Sequence, residues 1–132
     1  MSTSDSVGLS QIGQIAINVH DLEEAVTFYR DTLGMTFLFQ VPGMAFFDCG
    51  GVRLMLGLPE REEFDHPASV IYYRVDHIEN VYDSLRERGV AFIGAPHKVA
   101  SMPDHELWMA FFLDVDENVL ALMGEVPLPI SE

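Results

Sequence analysis

One cysteine and seven basic side chains are all that this 132-residue chain holds of either kind, and each shortage excludes something. The lone Cys49 cannot form an internal disulfide. The opening stretch MSTSDSVGLS has no basic region followed by an apolar core, so it is read as a short lead-in without an export signal, and a reducing, cytoplasmic setting is expected. Seven Lys and Arg against 21 Asp and Glu leave a net charge of −14. Such a chain repels phosphate backbones, and nucleic acid is not an expected partner. No apolar run approaches the roughly 20 residues of a membrane helix, so no membrane partner is expected either. What is present is a hydrophobic fraction of 48 %, enough for one compact domain over residues 1–132 with a buried core.

The tetrapeptide Met-Ala-Phe-Phe occurs twice, at Met44–Phe47 and Met109–Phe112. Other features recur with it. Asp21-Leu-Glu-Glu24 reads as a capping box, followed by apolar Leu22, Ala25, Val26, Tyr29 and Leu33 at helical spacing and closed by Gly34. At an offset of 55 residues, Asp76-His-Ile-Glu79 repeats the cap, with Ile78, Val81, Tyr82 and Leu85 as the stripe and Gly89 as the stop. Before each helix lies a β-rich segment, Gln14–Val19 and Val70–Val75. After each come Met-Ala-Phe-Phe and a second apolar run, Leu54–Leu56 and Leu120–Leu122. The offset grows to 66 by the last pair, which places about ten extra residues between Gly94 and Glu106. Each half reads strand, helix, then strands, which predicts an α+β fold of two duplicated βαβββ modules over residues 10–58 and 67–125, joined through the charged segment from Pro59 to Pro67.

Two stretches carry a family resemblance: VHDLEEAVTFYRDTLGM in the first half and FFLDVDENVLALM in the second. They resemble the signature helix and the final Asp-Pro-Asp-Gly-Asn turn of the vicinal oxygen chelate superfamily, which includes glyoxalase I, extradiol dioxygenases and bleomycin resistance proteins. The resemblance spans residues 12 to 125. It implies modules whose strands curl into a cupped, eight-stranded open sheet around a small-molecule cavity, and it implies a homodimer. A curved sheet suits that use, because alternate side chains of several strands converge on its concave face.

Metal-dependent members draw four ligands from the strands. Carried over position by position, these fall on Gln14, Met55, Val70 and Ala121. Gln14 is acceptable through its amide oxygen, but Met, Val and Ala offer no donor suited to a divalent ion. The implied reading is a small-molecule binder with no metal and no other cofactor. Gln14 orients the ligand there, Met55, Val70, Tyr72, Phe112 and Ala121 supply contact area, and Phe47 is a further wall. The rival reading is a lyase, isomerase or dioxygenase with a rebuilt site, a divalent metal entering only if its site has moved. Its candidates are Gln14 with His97, His105 or Glu106 of the insertion HKVASMPDHELW. A third is an interaction module that uses its sheet for dimerisation. Strand alternation places His105, Leu107, Met109 and Phe111 on one face and Glu106, Trp108, Ala110 and Phe112 on the other, so His105 and Glu106 cannot both enter the cup. By the same rule Tyr72 faces in and Tyr73 away. The remaining signals read as structural. His20, His66 and His77 are expected on the solvated surface. Asp114–Asn118 is a hairpin turn and not an EF-hand loop, because Val119 stands where that loop needs glycine. Cys49 follows Asp48, which raises a thiol pKa and disfavours a nucleophile.

Overall fold

A computed structural model describes residues 8–60, 62, 65–67 and 69–128. The first seven residues and part of the Pro59–Pro67 connector lie outside them. The first half runs β1 (Gln14–Asn18), α1 (Leu22–Thr27) continued by a π-helical turn over Phe28–Thr32, β2 (Thr36–Val41), β3 (Met44–Cys49) and β4 (Val52–Gly57). The second runs β5 (Ile71–Arg74), α2 (Ile78–Glu87), β6 (Ala91–Phe92), β7 (His97–Ser101), β8 (His105–Leu113) and β9 (Val119–Pro127).

Both halves close in the same way. The first strand lies parallel to the last, β1 on β4 and β5 on β9, and the remaining strands follow antiparallel. The result is a four-stranded sheet of order β1-β4-β3-β2 and a five-stranded sheet in which β5-β9-β8-β6 is extended by β7 pairing on β8. The α+β fold expected is present, with nine strands in two sheets among the described residues where one eight-stranded sheet was expected. The extra strand comes from the insertion. The strand answering to β2 is broken into β6 and β7, which pair with successive stretches of the long β8.

The capping reading holds for the first helix, where the Asp21 carboxylate accepts a hydrogen bond from the Glu24 amide at 3.1 Å. It fails for the second. There the cap position is His77, in the left-handed region at φ 55° with no side-chain cap, and Asp76 sits one residue too early. The start of α2 is set by packing: a Cβ at Gly124 of β9 would lie 3.1 Å from the Ile78 Cβ, so helix and strand meet at the bare glycine. Both stop glycines behave as read, Gly34 at φ 76° and Gly89 at φ 90°.

The repeated tetrapeptide is explained by strand alternation. Ala45, Phe47, Ala110 and Phe112 are buried to within 1 % of fully. Phe47 and Phe112 share one core cluster with Ile17, Leu54, Leu56, Leu120 and Leu122, and with Tyr29 and Leu85 from the helical segments. One face of each sheet therefore turns to a common core holding the helices, and the other looks outward. Met44 and Phe46, like Met109 and Phe111, lie on the outward faces. The expectation that Phe47 and Phe112 wall the ligand cup is corrected by this burial. Tyr73 packs on the core side and Tyr72 is 45 % exposed, as the alternation predicts.

A polar hub joins the halves. The buried Asp114 accepts hydrogen bonds from the Tyr29 hydroxyl at 2.8 Å, from the Asp116 and Asn118 amides at 2.8 Å each, and from the Asn118 side chain at 2.9 Å. The same Asn118 amide group reaches back to the Asn18 carbonyl of β1 at 3.1 Å. The turn closes through Glu117, whose φ of 65° is a left-handed conformation usually given to glycine.

Candidate functional site

The outward face of the first sheet brings several sequence candidates together. Gln14 and Met55 lie on neighbouring strands, and the Gln14 amide donates to the Met55 sulfur at 3.8 Å. Register places Phe46 beside Met55 and Phe39 beside Phe46, and the two rings stack with centroids 4.6 Å apart. At one end, a cavity of about 400 Å³ is bordered by Asn18, Met44, Met55, Gly57, Leu58 and the Pro42-Gly43 turn, with Pro59 and Glu60 at its rim. Gly57 helps to form it, since a Cβ there would come within 3.2 Å of the Met55 methyl. The face offers thioether, aromatic and amide groups, which suits an irregular apolar molecule with one hydrogen-bonding function.

The outward face of the second sheet is different. Ala121 of β9 sits between Tyr72 of β5 and Phe111 of β8. The rings of Tyr72 and Phe111 meet edge to face at 6.0 Å, and Ala121 is 0 % exposed. Ala121 is thus floor beneath two rings and presents no surface of its own, contrary to its expected contact role. Val70 lies just before β5 and is 40 % exposed. His97 stands beside this row, its ring 6.4 Å from that of Phe111. His105 is four residues from Met109, the partner of His97, or about 13 Å along β8. It is paired with Asp104 at 2.7 Å and approaches Glu125 at 3.8 Å. The hydrogen bond with His105 holds the Asp104 carboxyl below its usual range. Glu106 points the other way, accepting from the Trp108 indole at 3.1 Å with the Lys98 ammonium 3.8 Å off. The insertion therefore supplies no combined His97–His105–Glu106 centre. Cys49 is part-buried, and burial first, then Asp48, push its thiol pKa up.

Sequence reasoning missed one cluster. His20 is exposed, as expected, but it lies between two carboxylates that were not foreseen: Nδ1 is 2.6 Å from Asp116 and Nε2 is 2.8 Å from Asp65. Beside it the Asn18 amide donates to the His66 carbonyl at 3.1 Å. These groups border a cavity of about 210 Å³ with Glu117 and Asn118. They come from positions 45 and 96 residues apart, so no local pattern could have revealed them. The cluster pins the connector and the β8–β9 turn to the end of β1. The flanking carboxylates, Asp116 first, raise the His20 pKa above its ordinary value of about 6.5. A folded pKa raised above the unfolded one contributes stability that is full below about pH 6.5 and is lost as pH climbs through the raised value. Glu117 and His66 share the cavity. The melting-temperature difference between wild type and His20→Gln is therefore expected to be largest near pH 6 and to shrink by about pH 9. A difference that grows with pH would contradict the cluster's role.

Among the described residues, no group of three or more His, Cys, Asp or Glu stands together in a way that could hold a metal ion. The side chains at Met55, Val70 and Ala121 carry no oxygen or nitrogen donor, so this donor set does not fit a divalent ion. Nor is any helix among the described residues long and apolar enough to cross a membrane.

Comparison with known proteins follows the same outline. The model of the Glyoxalase/Bleomycin resistance protein/Dioxygenase superfamily matches residues 11–122. The protein YraH of Bacillus subtilis (strain 168) is 27 % identical over 126 residues, covering 83 % of this chain and 94 % of YraH. The metallothiol transferase FosB of Staphylococcus haemolyticus is 33 % identical over 88 residues, covering 60 % of each protein. Among solved structures, a glyoxalase/bleomycin resistance protein/dioxygenase superfamily member from Sphaerobacter thermophilus is 29 % identical. It superposes with a TM-score of 0.71 over 89 % of this chain and 98 % of that one.

Proposed function

We propose, from the premise that the chain belongs to the Glyoxalase/Bleomycin resistance protein/Dioxygenase superfamily, that it binds a small organic molecule on the outward face of its first sheet without the metal used by catalytic relatives. The observation that carries this reading is the cavity of about 400 Å³ bordered by Met44 and Met55, with the Gln14 amide reaching the Met55 sulfur at 3.8 Å. Gln14 is the polar group at a position where metal-dependent members place a ligand, and its amide can both donate and accept.

The second sheet completes the site only across a homodimer. In one chain no strand of either sheet pairs with the other among the described residues. Yet Phe39, Val41, Val70 and Tyr72 are each between 38 % and 45 % exposed, apolar surface that a second copy would cover. Sedimentation should accordingly return a dimer.

Gln14→Leu keeps the volume and removes the hydrogen bonds. It is expected to weaken binding of whatever molecule co-purifies, identified by mass spectrometry, by about 1–3 kcal/mol. His97→Ala and His105→Ala should leave it within a few-fold. The reverse pattern would favour the rival reading, an enzyme built around His97, which shares a face with Tyr72 and Phe111. Stoichiometric Fe, Mn, Ni or Zn in untagged protein would overturn the metal-free proposal.

A further inference from the structure

Arg53 of β4 lies on the same outward face as Gln14 and Met55, paired in register with Gln14 on one side and Asp48 on the other. Its guanidinium carbon sits 5.5 Å from the Phe46 ring centroid and 5.9 Å from that of Phe39. No ion pair of Arg53 is formed among the described residues, although Asp48 is its cross-strand neighbour and acidic residues outnumber basic ones 21 to 7. Arg30, by contrast, is doubly bonded to Asp31 at 2.9 and 3.0 Å. A guanidinium laid on aromatic rings is held in orientation, while its N–H edge remains free to meet a planar or tetrahedral oxyanion with two parallel hydrogen bonds.

We propose that the molecule bound on this face carries a carboxylate or phosphonate next to an apolar or aromatic body, and that Arg53 is the residue that selects the anion. The inference rests on the preceding reading of the first sheet as the ligand face and adds the ligand's chemical class. It runs against the expectation set by a net charge of −14. That charge acts over distance and slows the approach of anions. The local contact is decided by the nearest group, and on the Phe39–Phe46 platform that group is cationic. Asp48 is the competitor for it, and its removal should free the guanidinium further.

The test is an NMR titration of the full-length protein with phenylacetate, phenylphosphonate and the neutral phenylacetamide, following amide and methionine-methyl signals of the first sheet. Either anion is expected to bind about tenfold tighter than the amide, as a charge-assisted pair should, and their order tells carboxylate from phosphonate. Arg53→Gln should erase that advantage and leave phenylacetamide within about twofold, which also shows that the variant is folded. Asp48→Asn should strengthen anion binding. If phenylacetamide binds this face as well as the anions do, or if Arg53→Gln preserves their advantage, the assignment of Arg53 is wrong while the ligand face stands. If none of the three probes shifts these signals, the ligand face itself is wrong and the inference falls with it.

Discussion

Replacing Asp114 with alanine is expected to lower the unfolding free energy by about 3–5 kcal/mol. One carboxylate, 6 % exposed, accepts four hydrogen bonds: from the Tyr29 hydroxyl, two turn amides and the Asn118 side chain. Removing it strands several buried donors at once, and each unsatisfied group costs about 1–3 kcal/mol where no water can reach it. Tyr29 is 0 % exposed. Burial, and then the charge of Asp114, push its phenol pKa far above the ordinary value, so it remains a donor at every working pH. Tyr29→Phe removes one donor and leaves the acceptor with three others, so its cost should be about 1–2 kcal/mol. Asp114→Asn should fall between the two. Urea denaturation of the three variants checks the order. An alanine variant no less stable than Tyr29→Phe would mean that the hub contributes little.

The position of this hub explains what the sequence could and could not tell. Local signals survived well. The Asp21 cap, the stop glycines and the period-2 burial of the Met-Ala-Phe-Phe strands are decided within a few residues, and they were legible. Asp114–Asn118 was correctly read as a turn. Its partner Tyr29 lies 85 residues away, and that separation is invisible to periodicity. The same limit hid the carboxylates around His20. The missed cap at Asp76 has another cause. An apparent capping box was overridden by packing, because Ile78 must reach Gly124 and the chain turns at His77 to let it. Tertiary contact outweighs a local preference worth about 1 kcal/mol.

At the candidate site, the strands that carry the residues were legible but the facing of the side chains was less so. The Gln14 amide donates to the Met55 sulfur at 3.8 Å. Arg53 was passed over, because one arginine in an alternating strand has no signature. Its two rings come from β2 and β3, and only folding brings them beneath it. Ala121 was taken for a ligand contact, whereas the rings of its cross-strand neighbours close over it. Filling that position with phenylalanine should therefore overpack the Tyr72–Phe111 pair and destabilise the sheet, in place of the harmless plug that an open cup would accept.

The two phenylalanines of the second Met-Ala-Phe-Phe separate core from site within one dipeptide. Phe112→Ala is expected to cost about 3–5 kcal/mol. Its ring is 1 % exposed and lies 5.2 Å from that of Phe92, so truncation opens a void that the surrounding core cannot refill. Phe111→Ala should cost only about 1–2 kcal/mol, since its ring is part-exposed and loses chiefly its edge contacts with Tyr72 and His97. The first module offers a weaker version of the same contrast. Phe47 is 0 % exposed, but Phe46, stacked on Phe39, is also covered to 9 % exposure. Phe46→Ala should therefore fall nearer to Phe47→Ala than Phe111→Ala does to Phe112→Ala, and it alone of the four removes a ring beneath Arg53. Thermal and urea unfolding of the four single variants measures these gaps. Equal losses at Phe111 and Phe112 would show that the strand does not alternate between core and outward face, and would remove the basis for placing a ligand on the outward side.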